Sequence, residues 1–120
     1  MGMALVVEDS STEREIITQY LKQAGLGVVI ATSGEEALEK LSGVLPDLIV
    51  LDVVLPGRSG FEICRELKAD ERTNKIPIII CSTKDTDMDK FWGKRQGADA
   101  YIPKPIDQDT FVSTIKQLIV

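Results

Sequence analysis

Apolar residues follow two alternating rhythms along this chain. Short unbroken runs, Met3 to Val7, Val28-Val29-Ile30-Ala31, Leu48-Ile49-Val50-Leu51 and Ile76 to Cys81, have the length and continuity of strands buried on both faces. Between them, apolar residues recur every three or four positions, as on one face of a helix. The first helix follows the hydroxyl caps and acid of Ser10-Ser11-Thr12-Glu13, carries Ile16, Ile17, Tyr20, Leu21 and Ala24, and stops at Gly25. The second opens at Ser33-Gly34-Glu35-Glu36, carries Ala37, Leu38 and Leu41, and closes at Ser42-Gly43. The third strand takes in Asp47 to Leu51 and is followed by a Pro56-Gly57 turn and a helix over 59–68, with Phe61, Ile63, Cys64 and Leu67. Residues 85–96 read as a fourth helix, weakened by Gly93, in which the spacing of Met88, Phe91 and Trp92 predicts a face packed on the core, with an exposed anchor for a partner as the alternative. Gly97-Ala98-Asp99 leads to a short strand over 100–102, and a last helix over 107–119 carries Phe111, Val112, Ile115, Leu118 and Ile119.

Strands alternating with helices over short connections imply parallel strands joined by right-handed crossovers, which makes a doubly wound α/β sandwich. Periodicity does not reveal the strand order. A length of 120 residues, with no repeat, linker or low-complexity tract, predicts one domain over 1–120.

Composition narrows the function classes. The apolar share of 43% and charged share of 28% are ordinary for a water-soluble globular chain, and the net charge of −5 argues against nucleic acid as a direct partner. No stretch approaches a membrane span. The strand-like start argues against a signal peptide, and Val6 spoils the lipidation signal that Met1-Gly2 would begin. Cys64 and Cys81 have no C-x-x-C spacing, which fits a reducing cytoplasm. The chain has no histidine. That excludes Ser-His-Asp and Cys-His catalysis here and places any phosphohistidine donor on another protein.

Four of the five predicted strands end on groups suited to metal or phosphate: Glu8-Asp9, Asp52, Ser82-Thr83 and Lys104. In open parallel sheets, ligands bind in the crevice beyond the carboxyl ends of the strands. Crowded carboxylates stay ionised only if a cation joins them, and hard oxygen ligands suit Mg²⁺ better than zinc. A hydroxyl and a lysine on the same rim would neutralise phosphoryl oxygens, with Asp52 as the nucleophile towards phosphorus. Each piece alone has a blander reading, as helix cap or solvated surface residue; their shared placement carries the inference.

From Met3 to Val120 the chain resembles a response-regulator receiver domain of the CheY type. The matching features are Glu8-Asp9-Ser10, Asp52 with Leu55-Pro56 and Gly60, Ser82, Gly97-Ala98-Asp99 and Lys104-Pro105. Ser82-Thr83-Lys84-Asp85, with Trp92-Gly93-Lys94-Arg95-Gln96-Gly97-Ala98, is similar to PilH-like stand-alone receivers of type IV pilus and twitching-motility chemosensory systems. The resemblance implies a flavodoxin-like five-stranded parallel sheet of order 2-1-3-4-5, with helices on both faces. It implies that Asp52 accepts a phosphoryl group from a histidine kinase's phosphohistidine. Mg²⁺ would be held by Asp9, Asp52 and the backbone carbonyl of Val54, with Glu8 acting through water. Ser82 would donate a hydrogen bond to the phosphoryl group, Lys104 would pair with it, and Tyr101 is the aromatic switch position. In the family the bond between the lysine and the proline, here Lys104-Pro105, is cis.

The expected output surface is the fourth helix, fifth strand and fifth helix, with Lys90 and Lys94 one turn apart as a basic stripe beside Tyr101. Phosphorylation would bias a two-state surface, leaving a monomer or a weak phosphorylation-dependent dimer. Ser82 stands where threonine is commoner. Thr83 stands where many receivers carry alanine or glycine, which predicts slower loss of the phosphoryl group. Pro103 stiffens the approach to Lys104.

Three rivals come from other classes. A phosphohydrolase of the haloacid-dehalogenase type needs an acid two residues after the nucleophile, where this chain has Val54. The receiver of a larger DNA-binding regulator would be expected to continue into a linker and a basic domain. A scaffold-only receiver would lack part of the acid, hydroxyl and lysine set. The expectation is therefore a non-enzyme that catalyses only its own phosphorylation and dephosphorylation.

Overall fold

The computed structural model describes residues 2–119. Met1 and Val120, which enter the lipidation reading and the span of the resemblance, lie outside the described residues. Five strands and five helices alternate: β1 (Met3–Val7), α1 (Ser11–Gln23), β2 (Gly27–Ala31), α2 (Gly34–Leu41), β3 (Leu48–Leu51), α3 (Gly60–Ala69), β4 (Ile78–Ser82), α4 (Asp87–Arg95), β5 (Ala100–Pro103) and α5 (Gln108–Leu118). All strand pairs are parallel, in the order β2-β1-β3-β4-β5. This is the flavodoxin-like, CheY-like arrangement that the resemblance implied.

The sheet separates two cores. On one face, Leu5, Val7, Ile49, Leu51, Ile78 and Ile80 pack against Ala37 and Leu41 of α2 and Ile63, Cys64 and Leu67 of α3. On the other, Ala4, Val6, Leu48, Val50, Ile79 and Cys81 pack against Ile17 and Leu21 of α1 and Phe111 and Ile115 of α5. Alternate residues of each central strand thus enter opposite cores, so these runs read as continuously apolar. Cys64 and Cys81 are free and buried. Burial pushes the Cys64 thiol up to about 11, far from the reactive range.

Polar residues set the element boundaries. Ser10, Ser33 and Ser59 accept hydrogen bonds from backbone N–H groups three residues on, capping α1, α2 and α3. Residues 85–86 do not join α4: Thr86 caps it, in a reciprocal capping box with Asp89. β4 begins at Ile78 rather than Ile76, because Pro77 has no N–H for the ladder; its carbonyl accepts from Ile49 N at 2.9 Å. The Asp99 carboxylate accepts from Ile78 N at 2.8 Å and Lys68 Nζ at 2.9 Å, tying the α4–β5 connection to the start of β4 and to α3.

The expectation for α4 is overturned. Met88, Phe91 and Trp92 are 72%, 59% and 47% exposed, and the helix turns Gly93 to the sheet instead. A Cβ on Gly93 would lie 2.7 Å from the Tyr101 ring. The aromatic ring of β5 fills the space that a side chain of α4 would otherwise occupy.

Candidate functional site

Register brings the acids together. Val7 pairs with Leu51, so the residues after them, Glu8 and Asp52, leave adjacent strands at the same level. Asp52 N donates to Val7 O at 3.1 Å, extending the pairing by one residue. One carboxylate oxygen from each of Glu8, Asp9 and Asp52 can be chosen so that all lie within 4.8 Å of one another. Glu8 and Asp52 are buried, whereas Asp9 is exposed at the rim.

The cluster has an internal cation. Lys104 follows β5, and its N–H donates to Ser82 O at 3.0 Å. The Lys104–Pro105 peptide is cis. The ammonium forms a hydrogen-bonded ion pair with Glu8 Oε1 and lies 3.5 Å from Asp52 Oδ2. Burial pushes the Glu8 carboxyl up; the Lys104 hydrogen bond opposes this without cancelling it, and the Asp52 charge adds to it. Burial alone would lower the lysine, but the Glu8 hydrogen bond and the neighbouring carboxylates outweigh it, so Lys104 is raised and stays charged.

Glu8 is also held from its other oxygen, since its Oε2 accepts from Ser10 N at 3.1 Å. Asp52 Oδ1 accepts from Val53 N at 2.8 Å, which leaves Oδ2 facing the lysine. A carboxylate oxygen accepts more than one partner, so all three acids keep capacity for a shared ion. Hard carboxylate oxygens gathered in this way fit a divalent cation such as Mg²⁺, which receiver domains bind through acidic residues.

Gly60 makes the site possible. A Cβ there would lie 1.9 Å from the carbonyl oxygen of Asp52, so only glycine lets α3 begin this close to the end of β3. In the turn between them, Gly57 has φ of 76°, in the left-handed region that favours glycine.

Ser82 ends β4 at the same end of the sheet, and the remaining sequence-predicted residues lie on β5, on α4 and in the loops after β3 and β4. Ser82 is fully buried and its hydroxyl accepts from Lys84 N at 3.2 Å, so its proton is not used by that bond. Tyr101 is half-buried against Gly93, and its hydroxyl donates to the carbonyl of Lys84 in the loop after β4. Burial, with the nearby Asp89 charge, pushes that phenol up to about 12. The ring and the β4–α4 loop are thus mechanically joined. Lys90 is half-buried and Lys94 exposed on α4; Thr83 and the side chain of Val54 are exposed.

Sequence reasoning missed Arg14. Its guanidinium donates from Nη1 to the carbonyls of Glu8 at 3.1 Å and Asp9 at 3.0 Å, bracing the loop that carries both acids. A cation in the opening turns of a helix runs against the macrodipole, and that misfit was the available signal.

Residues 4–116 match the model of the response regulator receiver domain. Protein PilH of Pseudomonas aeruginosa is 40% identical over 119 residues, covering 99% of this chain and 98% of PilH. The transcriptional regulatory protein AfsQ1 of Streptomyces coelicolor is 38% identical over 99% of this chain, which spans only 52% of AfsQ1. The solved chemotaxis response regulator CheY4 of Vibrio cholerae superposes with a TM-score of 0.90 at 30% identity, covering 98% of each chain. With these relatives and this sheet, the chain belongs to the response regulator receiver domain family of two-component systems.

Proposed function

We propose that this chain is the acceptor of a phosphorelay, taking a phosphoryl group onto Asp52 from the phosphohistidine of a partner kinase. The observation that carries the reading is the convergence of Glu8, Asp9 and Asp52 around Lys104 at the carboxyl ends of the strands.

Asp52 Oδ2 attacks phosphorus, an O–P bond forms, and the P–N bond to the kinase imidazole breaks. Phosphoryl transfer needs mainly alignment and charge stabilisation. Asp9, Asp52 and the backbone carbonyl of Val54, with Glu8 through water, would hold Mg²⁺, which when bound would supply positive charge to the transferring oxygens. Lys104 supplies more: its ammonium already lies beside Oδ2 and shifts from Glu8 towards the new phosphoryl oxygens. The Ser82 hydroxyl has a proton to donate to the same group. Drawing Ser82 and its loop inward moves Lys84, and the hydrogen bond from Tyr101 carries that movement to β5 and α4. A change from mostly off to mostly on takes about 5.5 kcal/mol of differential interaction. One charge-assisted hydrogen bond contributes roughly 1.5–3 kcal/mol. Ser82, Lys104 and partner binding therefore share the switch.

The chain catalyses only the gain and loss of its own phosphoryl group. It works in the cytoplasm beside its kinase, and its downstream protein docks on α4, β5 and α5 near Lys90, Lys94 and Tyr101. Identity to PilH along nearly the whole of both chains supports a role in type IV pilus motility. The match to part of AfsQ1 favours a second reading, the receiver portion of a transcriptional regulator.

Incubation with a small-molecule phosphodonor and Mg²⁺, followed by intact-mass measurement, tests the chemistry. One added phosphoryl group on the wild type and none on Asp52→Ala is expected. Equal gain by both proteins, or sustained hydrolysis of a separate phosphate monoester, refutes the reading.

A further inference from the structure

The apolar stripe on the outward face of α4 takes no part in phosphoryl acceptance at Asp52. Among the described residues, six large apolar side chains are exposed, and three of them, Met88, Phe91 and Trp92, lie on this nine-residue helix. They form one i, i+3, i+4 stripe, and Phe91 lies nearly opposite the buried Gly93. They therefore lie outside the Tyr101 side of the helix. Soluble monomers seldom gather exposed aromatic residues into one patch unless something covers it.

The charges around the stripe indicate what covers it. Asp87 lies one turn before Phe91 and Arg95 one turn after, about 40° to either side of it around the helix. Lys94 flanks the same end as Arg95. Among the described residues, none of Asp87, Lys94 and Arg95 forms an ion pair within the chain. The face thus carries an acid at one end, an apolar centre and bases at the other. Turned end for end, that pattern is its own complement. A two-fold axis beside Phe91 would set each Asp87 level with the partner copy's Arg95 and bring Phe91, Trp92 and Met88 of both copies together, as an isologous interface requires.

We propose that this face docks a second copy of the same chain, α4 against α4 and antiparallel. The patch is one helix wide, so the dimer is weak and forms as concentration rises. It does not depend on phosphoryl acceptance at Asp52.

Sedimentation equilibrium across a wide concentration series, read together with the emission of the lone tryptophan, Trp92, tests this. Association with a blue-shifted emission is expected, lost in Phe91→Glu. Asp87→Lys and Arg95→Glu should each weaken self-association roughly tenfold, since each change spoils two symmetry-related contacts. An equimolar mixture of those two variants should recover association, because each altered residue then meets an opposite charge. Circular dichroism confirms that each variant is folded. A wild type that stays monomeric at every concentration leaves the stripe to an unrelated partner and overturns the proposal. So does a dimer that Phe91→Glu leaves intact, or a variant mixture no tighter than either variant alone.

Discussion

Replacing Lys104 with methionine removes the ammonium that pairs with Glu8 and Asp52 and keeps most of the aliphatic stem. In the native chain the Lys104, Glu8 and Asp52 side chains are 7%, 2% and 9% exposed, so solvent screens their charges little. Breaking a buried ion pair by removing one partner costs about 3–5 kcal/mol, because the other charge is left uncompensated. Asp9 opens the rim to water, which favours the lower end, about 3 kcal/mol. For a domain of this size that is a fall in melting temperature of roughly 10 °C. Thermal melts in chelator should show this loss, and added Mg²⁺ should recover more stability in Lys104→Met than in the wild type. The deficit should also shrink in acid. The Glu8 carboxyl is already raised, first by burial, and loss of its lysine raises it further. As pH falls through that value the variant's Glu8 takes up a proton and the unpaired charge disappears. Equal stability of the two proteins in chelator, or the same Mg²⁺ stabilisation in both, would refute the reasoning.

Gly60→Ala should cost about 2–4 kcal/mol in urea unfolding and slow phosphoryl uptake, because its Cβ meets the Asp52 backbone at 1.9 Å. Gly34→Ala meets only the end of the Ile63 side chain, at 2.5 Å, and should cost less; equal losses would contradict the geometry. Asp107 caps α5, and the hydrogen bond from Thr110 N lowers its carboxyl. Its contribution is therefore present above the ordinary aspartate value and lost as pH falls through the lowered one, so the gap between wild-type and Asp107→Ala melts should close in acid. Thr83→Ala should speed loss of the phosphoryl group, measured as decay of the modified mass after the donor is removed; an unchanged or slower decay removes Thr83 from the access route.

The three central strands were legible because β1, β3 and β4 are covered on both faces, and their runs are apolar without interruption. Asp52 and the Glu8-Asp9 pair could be placed from those runs alone, since a residue just past a buried parallel strand faces the ligand crevice. Helix α4 was misread for a physical reason. Its apolar spacing is real but faces solvent, and the position that meets the sheet is a glycine whose partner, Tyr101, comes from another strand. No periodicity within a helix can announce a ring supplied from outside it. The hold of Lys104 on Glu8 and the brace from Arg14 were equally hidden. The first spans 96 residues of chain, and the second is a side chain reaching back to carbonyls.

The most direct test of the central claim is to find where the phosphoryl group is bound and whether it needs the cation. Treating the modified protein with borohydride converts an aspartyl phosphate to homoserine, which peptide mass mapping locates. The account predicts conversion at position 52 alone, and only when Mg²⁺ was present during phosphorylation. Conversion at another carboxylate, or full conversion at position 52 in chelator, would contradict it.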